Sequence, residues 1–404
     1  MTVEGVIFGE PALTEADLEV VGHIDQLRDQ LRYHVAQPRR WSGLLRRVSL
    51  ARAIRGSNTI EGFTVSIDDA FSALDEEEPL EAEAAAWAAV RGYRNAMTYV
   101  LEMVRDPAFA LSQDIVKSLH FMMQSYDLDK WPGRYRPAEV FVLDEDNEVV
   151  VYYGPDADKV PGLMAALARY VCEPSTDTPV LVRAAMAHLN LVMIHPFKDG
   201  NGRMARCLQT LMLAREGVLA PEFCSIEEYL GRNERDYYEI LAHTGKGRWS
   251  PRESAHAWVR FSLTAHYRQA MTVLRRSKLA EQLWLVCERE VQERSLPDRV
   301  TAAVFHVATG RSLRNSTYRQ ISGVTHNLAS RDLRDMVKVG LLDAIGEKRG
   351  RTYTLAPKLR PVSLAIRRDV HRRFPVDADP YEVSVENEQQ RFNILQDESD
   401  LQLF

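Results

Sequence analysis

The stretch HPFKDGNGRMAR, residues 195–206, decides the fold because it separates two segments with helical periodicity. Before it, apolar residues recur on one face of a helix up to Val192, and Pro196 prevents that helix from continuing. After it, the apolar pattern resumes at Met204, and Gly217 is a typical helix stop. The sequence therefore predicts two helices joined by a short loop, and the quoted stretch is that loop.

Two glycines and two arginines give this loop the composition of a phosphate-binding site. Gly200 and Gly202, on either side of Asn201, allow backbone N–H groups at the start of a helix to point at one spot. Such a group of N–H donors binds anions such as phosphate. Arg203 and Arg206 share one side of the predicted helix, so two guanidinium groups adjoin these donors. The combination favours a polyphosphate over a single phosphate.

The loop also contains an acid and a base. Asp199 is an oxygen ligand whose natural role beside a polyphosphate is to hold Mg²⁺. His195 ends the first helix, and a histidine can accept a proton near pH 7. The alternative is a plain helix–loop–helix in which glycine and asparagine only turn the chain while the histidine and arginines lie in solvent. The presence of all these groups in one short loop favours a nucleotide polyphosphate held with a metal and a general base.

The loop resembles the motif of the Fic family, H-P-F-x-[DE]-G-N-G-R-x-x-R, and fills every defining position of it. The similarity extends to the N-terminal helices, a hairpin and the helices up to about residue 265. Family members that this chain resembles transfer AMP from ATP to a hydroxyl side chain of a protein. The resemblance implies that Mg-ATP is used, that pyrophosphate leaves, and that AMP is attached to Ser, Thr or Tyr.

The resemblance also assigns a role to each residue of the loop. It implies that His195 deprotonates the target hydroxyl, that Phe197 anchors the loop in the core, and that Asp199 holds Mg²⁺. It further implies that Arg206 contacts the γ-phosphate. The implied nucleotide-binding positions in this stretch are Phe197, Lys198, Asp199, Gly200, Asn201, Gly202, Arg203 and Arg206.

The segment EVFVLDEDNEVVVYYGP has β-branched and aromatic residues on both sides of a polar turn, Asp144 to Asn147, and predicts a β-hairpin. Residues 139–153 resemble the flap of the family, which pairs with a strand of the target protein. An ordinary edge hairpin is the alternative. Tyr237 and Tyr238 occupy a place where the family often contacts adenine, although they could equally be aromatic residues of the core.

A second motif, SNTIEGF at residues 57–63, gains meaning from the first. Ser57 and Glu61 would share a face of a helix, which Gly62 ends or loosens. Alone, this pattern is compatible with a surface glutamate near a helix end. It resembles the inhibitory helix of the family, [ST]-x-x-x-E-[GN], in its N-terminal form, which implies that Glu61 pairs with Arg206. A carboxylate at that place would compete with the γ-phosphate and so inhibit transfer.

From about residue 300 the chain becomes basic, because residues 301–360 hold 11 Lys and Arg against 4 Asp and Glu. The order helix, helix, helix and hairpin over residues 301–356 resembles a winged helix-turn-helix. Its candidate DNA-contacting residues are His326, Asn327, Ser330, Arg331 and Arg334 on the recognition helix and Lys348, Arg349 and Arg351 on the wing. Asp332 and Asp335 on the same helix favour the alternative, in which this module docks on protein or on the rest of the chain.

The composition limits the compartment and the partners. The net charge of −6 argues against a protein that coats nucleic acid along its whole length. The cysteines Cys172, Cys207, Cys224 and Cys287 form no CxxC pair, which predicts reduced thiols and a reducing compartment. Neither a signal peptide nor a run of about 20 apolar residues is present. We expect a cytoplasmic protein that does not bind a membrane.

The sequence as a whole predicts a mainly α protein: a Fic-type helical bundle with a small β-hairpin flap and a C-terminal winged helix-turn-helix domain. The expected parts are an N-terminal helical region with the inhibitory helix (1–110), the catalytic core (111–265), a helical connector (266–298), the winged helix (299–360) and an extension (361–404). From Asp377 the chain carries eight acids and one arginine and is expected to form a mobile tail.

We expect a protein adenylyltransferase that uses ATP and Mg²⁺, is inhibited by Glu61, and docks its target protein on residues 139–153. One alternative is a hydrolase that removes AMP, in which Glu61 positions water. Another is a DNA-binding regulator that uses residues 299–360 and whose Fic domain senses nucleotide. The target, the modified residue, self-modification, homodimer formation and the choice of ATP over another nucleotide stay open.

Overall fold

The computed structural model describes residues 6–36, 42–144, 149–173, 177–215, 217, 225–347 and 351–383. Within these residues the chain is mainly helical, as predicted, with two small antiparallel strand pairs. None of the described helices is long and apolar enough to cross a membrane. Cys172, Cys207 and Cys287 are free thiols, as expected, and Cys224 lies outside the described residues.

The helices are numbered here in chain order. Helices α1 to α10 span Glu15–Ala36, Ser42–Thr59, Ile67–Leu74, Ala84–Met103, Gln113–Gln124, Val160–Cys172, Val180–Ile194, Asn201–Arg215, Glu227–Arg232 and Glu234–Gly245. Helices α11 to α15 span His256–Glu293, Thr301–Ala308, Asn315–Ser322, His326–Lys338 and Arg360–Arg373. Strand β1 (Phe141–Asp144) pairs with β2 (Val149–Tyr153), and β3 (Leu342–Ile345) pairs with β4 (Thr352–Leu355).

Helix α7 lies at the centre of the core and leads into the predicted loop. Nearly all of its side chains are buried, including the polar Arg183, His188 and Asn190. The expectation of a single apolar face is therefore wrong, because α7 packs against neighbours on every side. On one of these sides, the indole Nε1 of Trp258 in α11 donates to the carbonyl of Ala185 over 2.8 Å. This bond joins α7 to α11 within the core.

The helix–loop–helix predicted around residues 195–206 is confirmed. Helix α7 ends at Ile194, α8 begins at Asn201, and the intervening residues form the loop. Helix α8 ends at Arg215, and Gly217 follows with φ 68°, in agreement with its predicted role as a stop. Because α7 and α8 pack side by side, the loop between them has both of its ends fixed.

Helix α2 reaches the core where α9 crosses it. A side chain on Gly56 would overlap the carbonyl of Glu227, and one on Gly231 would lie 2.8 Å from the Cα of Gly56. The two glycines therefore allow the two backbones to touch. This close crossing holds the end of α2, which carries Ser57, against α9.

The predicted hairpin is present as β1 and β2, with Phe141 opposite Tyr153. Most of its turn lies outside the described residues. The end of β2 is fixed to the segment after α10, because the N–H of Tyr153 donates to Gly247 and its carbonyl accepts from Trp249, both over 3.0 Å. Strand β1 is thus the outer edge of this part of the hairpin.

Helix α11 departs from the predicted division of the chain. It runs unbroken through residue 265, where the core was expected to end, and through most of the predicted connector. The segment contains neither glycine nor proline, and it buries side chains from Trp258 to Val291. The connector is therefore a continuation of the last helix of the core.

The C-terminal part begins with α12, α13, α14 and the β3–β4 hairpin, in the order expected for residues 301–356. Its assignment as a winged helix stays a prediction. Of the three basic residues expected on the wing, Arg351 is exposed, whereas Lys348 and Arg349 lie outside the described residues.

The expectation of a mobile tail from Asp377 onwards is wrong for residues 377–383, which pack on the helical core. The hydroxyl of Tyr381 donates to the buried carboxylate of Asp17 in α1 over 3.1 Å. The guanidinium of Arg260 lies over the same ring, 3.9 Å from its centroid. A buried carboxylate requires donors, and the tail supplies one of them. The rest of the tail, residues 384–404, lies outside the described residues.

Candidate active site

His195 ends α7 in the left-handed conformation, with φ 50° and ψ 57°. Its Nδ1 lies 3.3 Å from the carbonyl oxygen of Val192. Because a carbonyl only accepts hydrogen bonds, Nδ1 carries the proton and Nε2 keeps a free lone pair. Burial lowers the pKa of His195 to about 4, so the imidazole is neutral at pH 7. The histidine is therefore in the protonation state that a general base requires.

Phe197 and Asn201 fold the loop on itself. Phe197 is buried, and its backbone N–H and C=O form a pair of hydrogen bonds with the side-chain amide of Asn201, at 2.9 and 3.0 Å. Phe197 thus lies where an anchoring residue is expected. The amide of Asn201 is engaged in bracing the loop, so the backbone N–H is the group of Asn201 that remains for a phosphate.

His120 on α5, which no sequence pattern indicated, packs against the loop between α7 and α8. Its ring stacks on Phe197 with a centroid distance of 3.7 Å. Nε2 donates to the carbonyl of Asp199 over 2.9 Å, and Nδ1 accepts from the N–H of Gly133 over 2.8 Å. Burial lowers the pKa of His120 to about 4, which keeps the ring neutral and this pattern intact at pH 7.

The N-terminal end of α8 is suited to bind an anion. The backbone hydrogen bond from Met204 to Gly200, at 3.0 Å, closes the first turn of the helix. The N–H groups before Met204 therefore have no carbonyl of this helix to donate to. Gly200 has φ 74°, a conformation that favours glycine. The N–H groups at this end belong to Asn201, Gly202 and Arg203.

Gly202 brings this helix end into contact with the second motif. A Cβ at this position would lie 3.0 Å from Nη1 of Arg206 and closer still to Oε1 of Glu61. The absence of a side chain therefore permits Glu61 to approach the start of α8. A phosphate bound at the helix end would lie close to this same carboxylate.

Arg206 binds both polar residues of the second motif, which confirms the predicted pairing with Glu61. Its Nη2 donates to Oε1 of Glu61 over 2.7 Å and to the carbonyl of Ser57 over 2.9 Å, and its Nε donates to the Ser57 hydroxyl over 2.8 Å. The side chains are 1% and 16% exposed for Arg206 and Glu61. Burial lowers the pKa of Arg206, but Glu61, Tyr237 and Tyr93 together outweigh burial, and the net direction is upward. Nη1 of Arg206 is buried without a hydrogen-bond partner among the described residues.

Glu61 lies in a turn just beyond α2. The helix ends at Thr59, and the N–H of Glu61 then bonds to the carbonyl of Asn58 over 3.1 Å, the tighter spacing of a final 3₁₀ turn. Gly62 follows with φ 79°. The expectation that Ser57 and Glu61 share one helical segment is therefore corrected, although both still face Arg206.

The side chains of Arg203 and Lys198 contact neighbouring segments. Arg203 is fully buried, with its guanidinium nitrogens 3.4 and 3.5 Å from the hydroxyl of Tyr126 and its centre 5.3 Å from the ring of Phe63. Lys198 is exposed, and its Nζ donates to the carbonyl of Asp129 over 2.9 Å. For both residues, a role in nucleotide binding stays a prediction.

Asp199 presents a partly exposed carboxylate beside the loop. The carboxylate accepts from the N–H of Gly200 over 2.6 Å and lies 3.4 Å from Nζ of Lys130. Burial raises the pKa of Asp199, but the Gly200 N–H, Lys130 and Arg203 together outweigh it, and the net direction is downward. The carboxylate is thus charged at pH 7. Among the described residues, no three His, Cys, Asp or Glu side chains cluster to form a metal site of their own.

Tyr237 and Tyr238 occupy different environments. Tyr237 is 1% exposed, and its hydroxyl lies 2.9 Å from Nε2 of His188, which favours the alternative of a core aromatic. Tyr238 is 47% exposed, and its hydroxyl donates to the carbonyl of Ile60 over 2.9 Å. An adenine contact by Tyr238, beside the turn that holds Glu61, stays a prediction.

Arg136 is a further residue at this site that the sequence motifs did not include. Its Nε donates to the carbonyl of His195 over 2.8 Å. It lies in the stretch GRYR just before β1, outside any helical or strand pattern. The signal that could have identified it is an arginine immediately before a proline at the entrance to a hairpin, which is weak without the structure.

Comparisons with known proteins agree with this geometry. Residues 110–213 match the model of the Fic/DOC family. A curated relative from Nematostella vectensis, named protein adenylyltransferase Fic, is 27% identical over 242 residues, which cover 59% of this chain and 53% of the relative. Protein adenylyltransferase fic-1 of Caenorhabditis elegans is 60% identical over 50 residues, which cover 12% of this chain and 10% of the relative. The chain thus spans about half the length of the first relative and about a tenth of the second.

Solved structures agree on the fold. The crystal structure of a Fic family protein from Desulfovibrio desulfuricans superimposes with a TM-score of 0.56 at 23% identity, covering 87% of this chain and 99% of that one. Fic-1 of Caenorhabditis elegans superimposes with a TM-score of 0.50 at 20% identity, covering 64% and 72%. Residues 110–213 of this protein are therefore a Fic domain, and the chain has the fold of Fic family proteins.

Proposed function

We propose that this protein is an adenylyltransferase that transfers AMP from ATP to a hydroxyl side chain of a protein and is held at low activity by Glu61. The observation that carries the proposal is the 2.7 Å contact between Glu61 and Arg206 at the start of α8. At this place the start of α8, which is suited to bind an anion, lies beside a buried arginine, and the Glu61 carboxylate is hydrogen-bonded to that arginine. The names of the curated relatives support the same activity.

The reaction assigns one chemical step to His195. Its Nε2 accepts the proton of the target hydroxyl, whose oxygen then attacks the α-phosphorus of ATP. A bond from that oxygen to the α-phosphorus forms, the bond from the α-phosphorus to the bridging oxygen breaks, and pyrophosphate leaves. The N–H groups at the start of α8 bind the phosphates and orient the α-phosphorus for in-line attack. The neutral imidazole at the end of α7 suits this step because it can accept a proton at pH 7.

Inhibition follows from competition for one guanidinium. Ser57 and Glu61 occupy Nε and Nη2 of Arg206, so only Nη1 remains for a phosphate. The Glu61 carboxylate also lies against Gly202, where an approaching γ-phosphate would meet its negative charge. ATP therefore binds weakly, or with its α-phosphate turned away from the target hydroxyl.

Asp199 fits a role as the protein ligand of Mg²⁺. Its carboxylate is charged and partly exposed at the edge of the loop. Mg²⁺ bound to nucleotides usually needs only one or two carboxylates, with phosphate oxygens and water as its other ligands. When bound, the ion would neutralise charge on the phosphates.

The hairpin fits a role in target docking. Its exposed apolar and aromatic side chains include Phe141 at 58% and Tyr153 at 57%. Strand β1 is its outer edge, because the end of β2 is bonded to residues 247–249. A strand of a target protein, or of a second copy of this chain in self-modification, can pair with β1 by backbone hydrogen bonds.

Incubation of the protein with Mg²⁺ and each nucleoside triphosphate in turn, followed by mass spectrometry, tests the proposal. The wild type and the Glu61→Gly variant are compared. Attachment of AMP to a hydroxyl side chain from ATP alone, stronger in the variant, is the expected result. Attachment of a different nucleotide would replace ATP in the proposal. Loss of AMP from a modified target, abolished in Glu61→Gly, would identify the chain as a hydrolase in which Glu61 positions water.

DNA binding by the C-terminal part is a second candidate function, and one observation favours it. Asp332 of α14, which counts against DNA contact in the sequence, is buried and accepts hydrogen bonds of 2.8 Å from Arg299 and 2.9 Å from Tyr318. It is therefore turned away from the solvent. The exposed face of α14 carries Arg331 and Arg334 without this carboxylate.

Binding of duplex DNA by the full chain at rising salt tests this second function. Affinity should fall steeply with salt, and replacing both exposed arginines of α14 by alanine should reduce it and flatten the salt dependence. Arg252→Ala, on an exposed residue far along the chain, is the matched control. Absence of binding to any duplex at low salt would favour docking on protein.

A further inference from the structure

We infer that Arg136 is a positioning residue for the transfer reaction: its guanidinium fixes the backbone of His195 and the base of the β1–β2 hairpin in one arrangement. The inference rests on the proposed function, because it connects the general base to the strand on which the target docks. A base that acts on a docked target must keep a constant distance from the docking strand.

The hydrogen bonds of Arg136 join two separate parts of the fold. The side chain is 5% exposed. Towards α7, Nε donates to the carbonyl of His195 over 2.8 Å, and Nη2 lies 3.5 Å from the carbonyl of Ile194. Towards the hairpin, Nη1 donates to the carbonyl of Ala138 over 2.7 Å, and Nη2 donates to the carbonyl of Pro155. Ala138 precedes β1 and Pro155 follows β2, so both ends of the hairpin are bound to the group that holds the base.

The geometry requires an arginine. A guanidinium carries five N–H donors in one plane, whereas a lysine ammonium is a compact point donor that cannot reach both parts of the fold. His195 has φ 50°, in the left-handed region that residues with a side chain adopt at a cost. The Arg136 side chain binds the carbonyl of His195, and the Arg136 backbone N–H donates to the next carbonyl, that of Pro196, over 2.9 Å. The strained residue is thus held from outside its own helix.

The charge of Arg136 has a second effect. The groups that act on the imidazole of His195 are Arg136, the Val192 carbonyl, Glu61 and Asp199. Burial lowers the pKa of His195 and Arg136 lowers it further, while the Val192 carbonyl, Glu61 and Asp199 raise it. Removing the guanidinium charge should therefore raise the pKa of His195.

Two substitutions separate the geometry from the charge. Arg136→Lys keeps the charge and loses the planar set of donors, and Arg136→Gln loses both. Measured in the Glu61→Gly background, kcat/KM for AMP transfer should fall on the order of 100-fold in both variants, because a small misplacement of reacting groups has an effect of that size. ATP affinity should stay within about threefold of the parent, because the hydrogen bonds of Arg136 among the described residues go to carbonyls of residues 138, 155 and 194–196 and not to the start of α8. The control Arg134→Gln changes an exposed arginine of the same stretch and should leave both quantities unchanged.

A readout that needs no activity completes the experiment. In protein labelled at the histidine ring carbons, the resonance of His195, assigned by its loss in His195→Ala, should titrate at a higher pH in Arg136→Gln than in the parent. In Arg136→Lys it should stay low. Gly154→Ala places a Cβ 2.7 Å from Cγ1 of Val140 and 3.3 Å from Nη2 of Arg136. It therefore crowds the guanidinium and the base of the hairpin without removing charge, and it can be used if the Arg136 variants do not fold. Gly154→Ala should lower kcat/KM for AMP transfer, and the resonance of His195 should titrate at the same pH as in the parent.

Failure of this inference can be distinguished from failure of the proposed function. If folded Arg136→Lys and Arg136→Gln keep the parental kcat/KM, or if His195 titrates identically in parent and Arg136→Gln, the inference is overturned. If the parent transfers no nucleotide at all, the proposed function fails. The His195 titration and the amide hydrogen exchange of residues 149–155, faster in Arg136→Gln, then still decide whether Arg136 holds the base and the hairpin together.

Discussion

Replacement of Glu61 tests autoinhibition at a single contact, because Glu61 is the one carboxylate paired with Arg206 among the described residues. Ser57 contributes only neutral oxygens to the same guanidinium. Glu61→Gln keeps the shape of the side chain and removes its charge, whereas Glu61→Gly removes the side chain. Both should raise AMP transfer, and Glu61→Gly should raise it more, since the glutamine amide oxygen can still accept from Nη2.

The size of the effect follows from the burial of the pair. A hydrogen bond to a charged group contributes about 1.5–3 kcal/mol when its partners are shielded from water. The side chains of Arg206 and Glu61 are 1% and 16% exposed, which places their bond within that range. Because the γ-phosphate must displace the carboxylate, and about 1.4 kcal/mol corresponds to tenfold, we expect a gain of about 10- to 100-fold in ATP affinity and in kcat/KM for ATP.

The same substitution should have the opposite effect on stability. Without Glu61, the buried guanidinium of Arg206 keeps only the oxygens of Ser57. The free energy of unfolding of the nucleotide-free protein should fall by about 1–3 kcal/mol, the cost of leaving a buried charge poorly paired. ATP should restore part of this, so the rise in Tm on adding ATP should be larger in Glu61→Gln than in the wild type.

Transfer of AMP from labelled ATP, calorimetric ATP binding and thermal unfolding measure the three effects. Glu19→Gln, on an exposed glutamate of α1, is the matched control. Arg206→Ala should be poorly active with or without Glu61, because it removes both the partner of the carboxylate and a ligand of the phosphate. Wild-type rates of transfer in both Glu61→Gly and Glu61→Gln would refute inhibition by the 57–62 segment.

Three further outcomes are expected. His195→Ala should abolish AMP transfer while ATP affinity and Tm stay near those of the wild type, and unchanged transfer would remove His195 from the mechanism. Asp199→Ala should remove most of the Mg²⁺ dependence of transfer, and the same metal titration as in the wild type would make Asp199 a structural partner of Lys130. Burial lowers the pKa of His120 to about 4, so the unfolded chain binds more protons below pH 6.5. The free energy of unfolding should therefore fall as the pH drops from 6.5 towards 4, by up to about 3 kcal/mol from His120 alone. Urea denaturation at several pH values should show a shallower dependence in His120→Gln.

The sequence predicted the parts of the site whose functional residues lie in one contiguous stretch. Residues 195–206 combine a helix break, a helix start and the phosphate-binding composition within one segment, so pattern and chemistry point to the same place. The pairing of Glu61 with Arg206 could be predicted because the 57–63 motif resembles the inhibitory helix of the Fic family, and that resemblance implies the pair. Their separation of 145 residues was not an obstacle, since the 57–63 motif gained its meaning from the first motif and not from a position close to it in the sequence.

The supporting residues could not be predicted in this way. His120 reaches Asp199 from 79 residues away, and Arg136 reaches the carbonyl of His195 from 59 residues away. Both bind backbone carbonyls, which every residue has, so nothing in the sequence of the loop indicates its partners. A single histidine on α5 and one arginine of GRYR become informative only when the fold places them beside the loop.

The errors of the sequence prediction have a common physical origin. Helix α7 was expected to have one apolar face, yet its Arg183, His188 and Asn190 are buried because neighbouring elements supply their hydrogen bonds. The acidic tail was expected to be mobile, yet Tyr381 packs on Arg260 and bonds to Asp17. In both cases a polar composition was taken as a sign of exposure, whereas tertiary partners made burial of the polar groups possible.

The position of Glu61 beyond the end of α2 bears on how inhibition can be relieved. Helix α2 is held against α9 where Gly56 meets Glu227, so displacing the whole helix would open a close backbone crossing. In the turn that follows, Ile60 is buried in the core, whereas Glu61 is partly exposed and Gly62 is exposed, and their N–H groups bond to the carbonyls of Asn58 and Thr59. Gly62, with φ 79°, can change its backbone angles at little cost. A nucleotide that competes for Arg206 therefore has to rearrange residues 61 and 62, while Ile60 and α2 can stay in place.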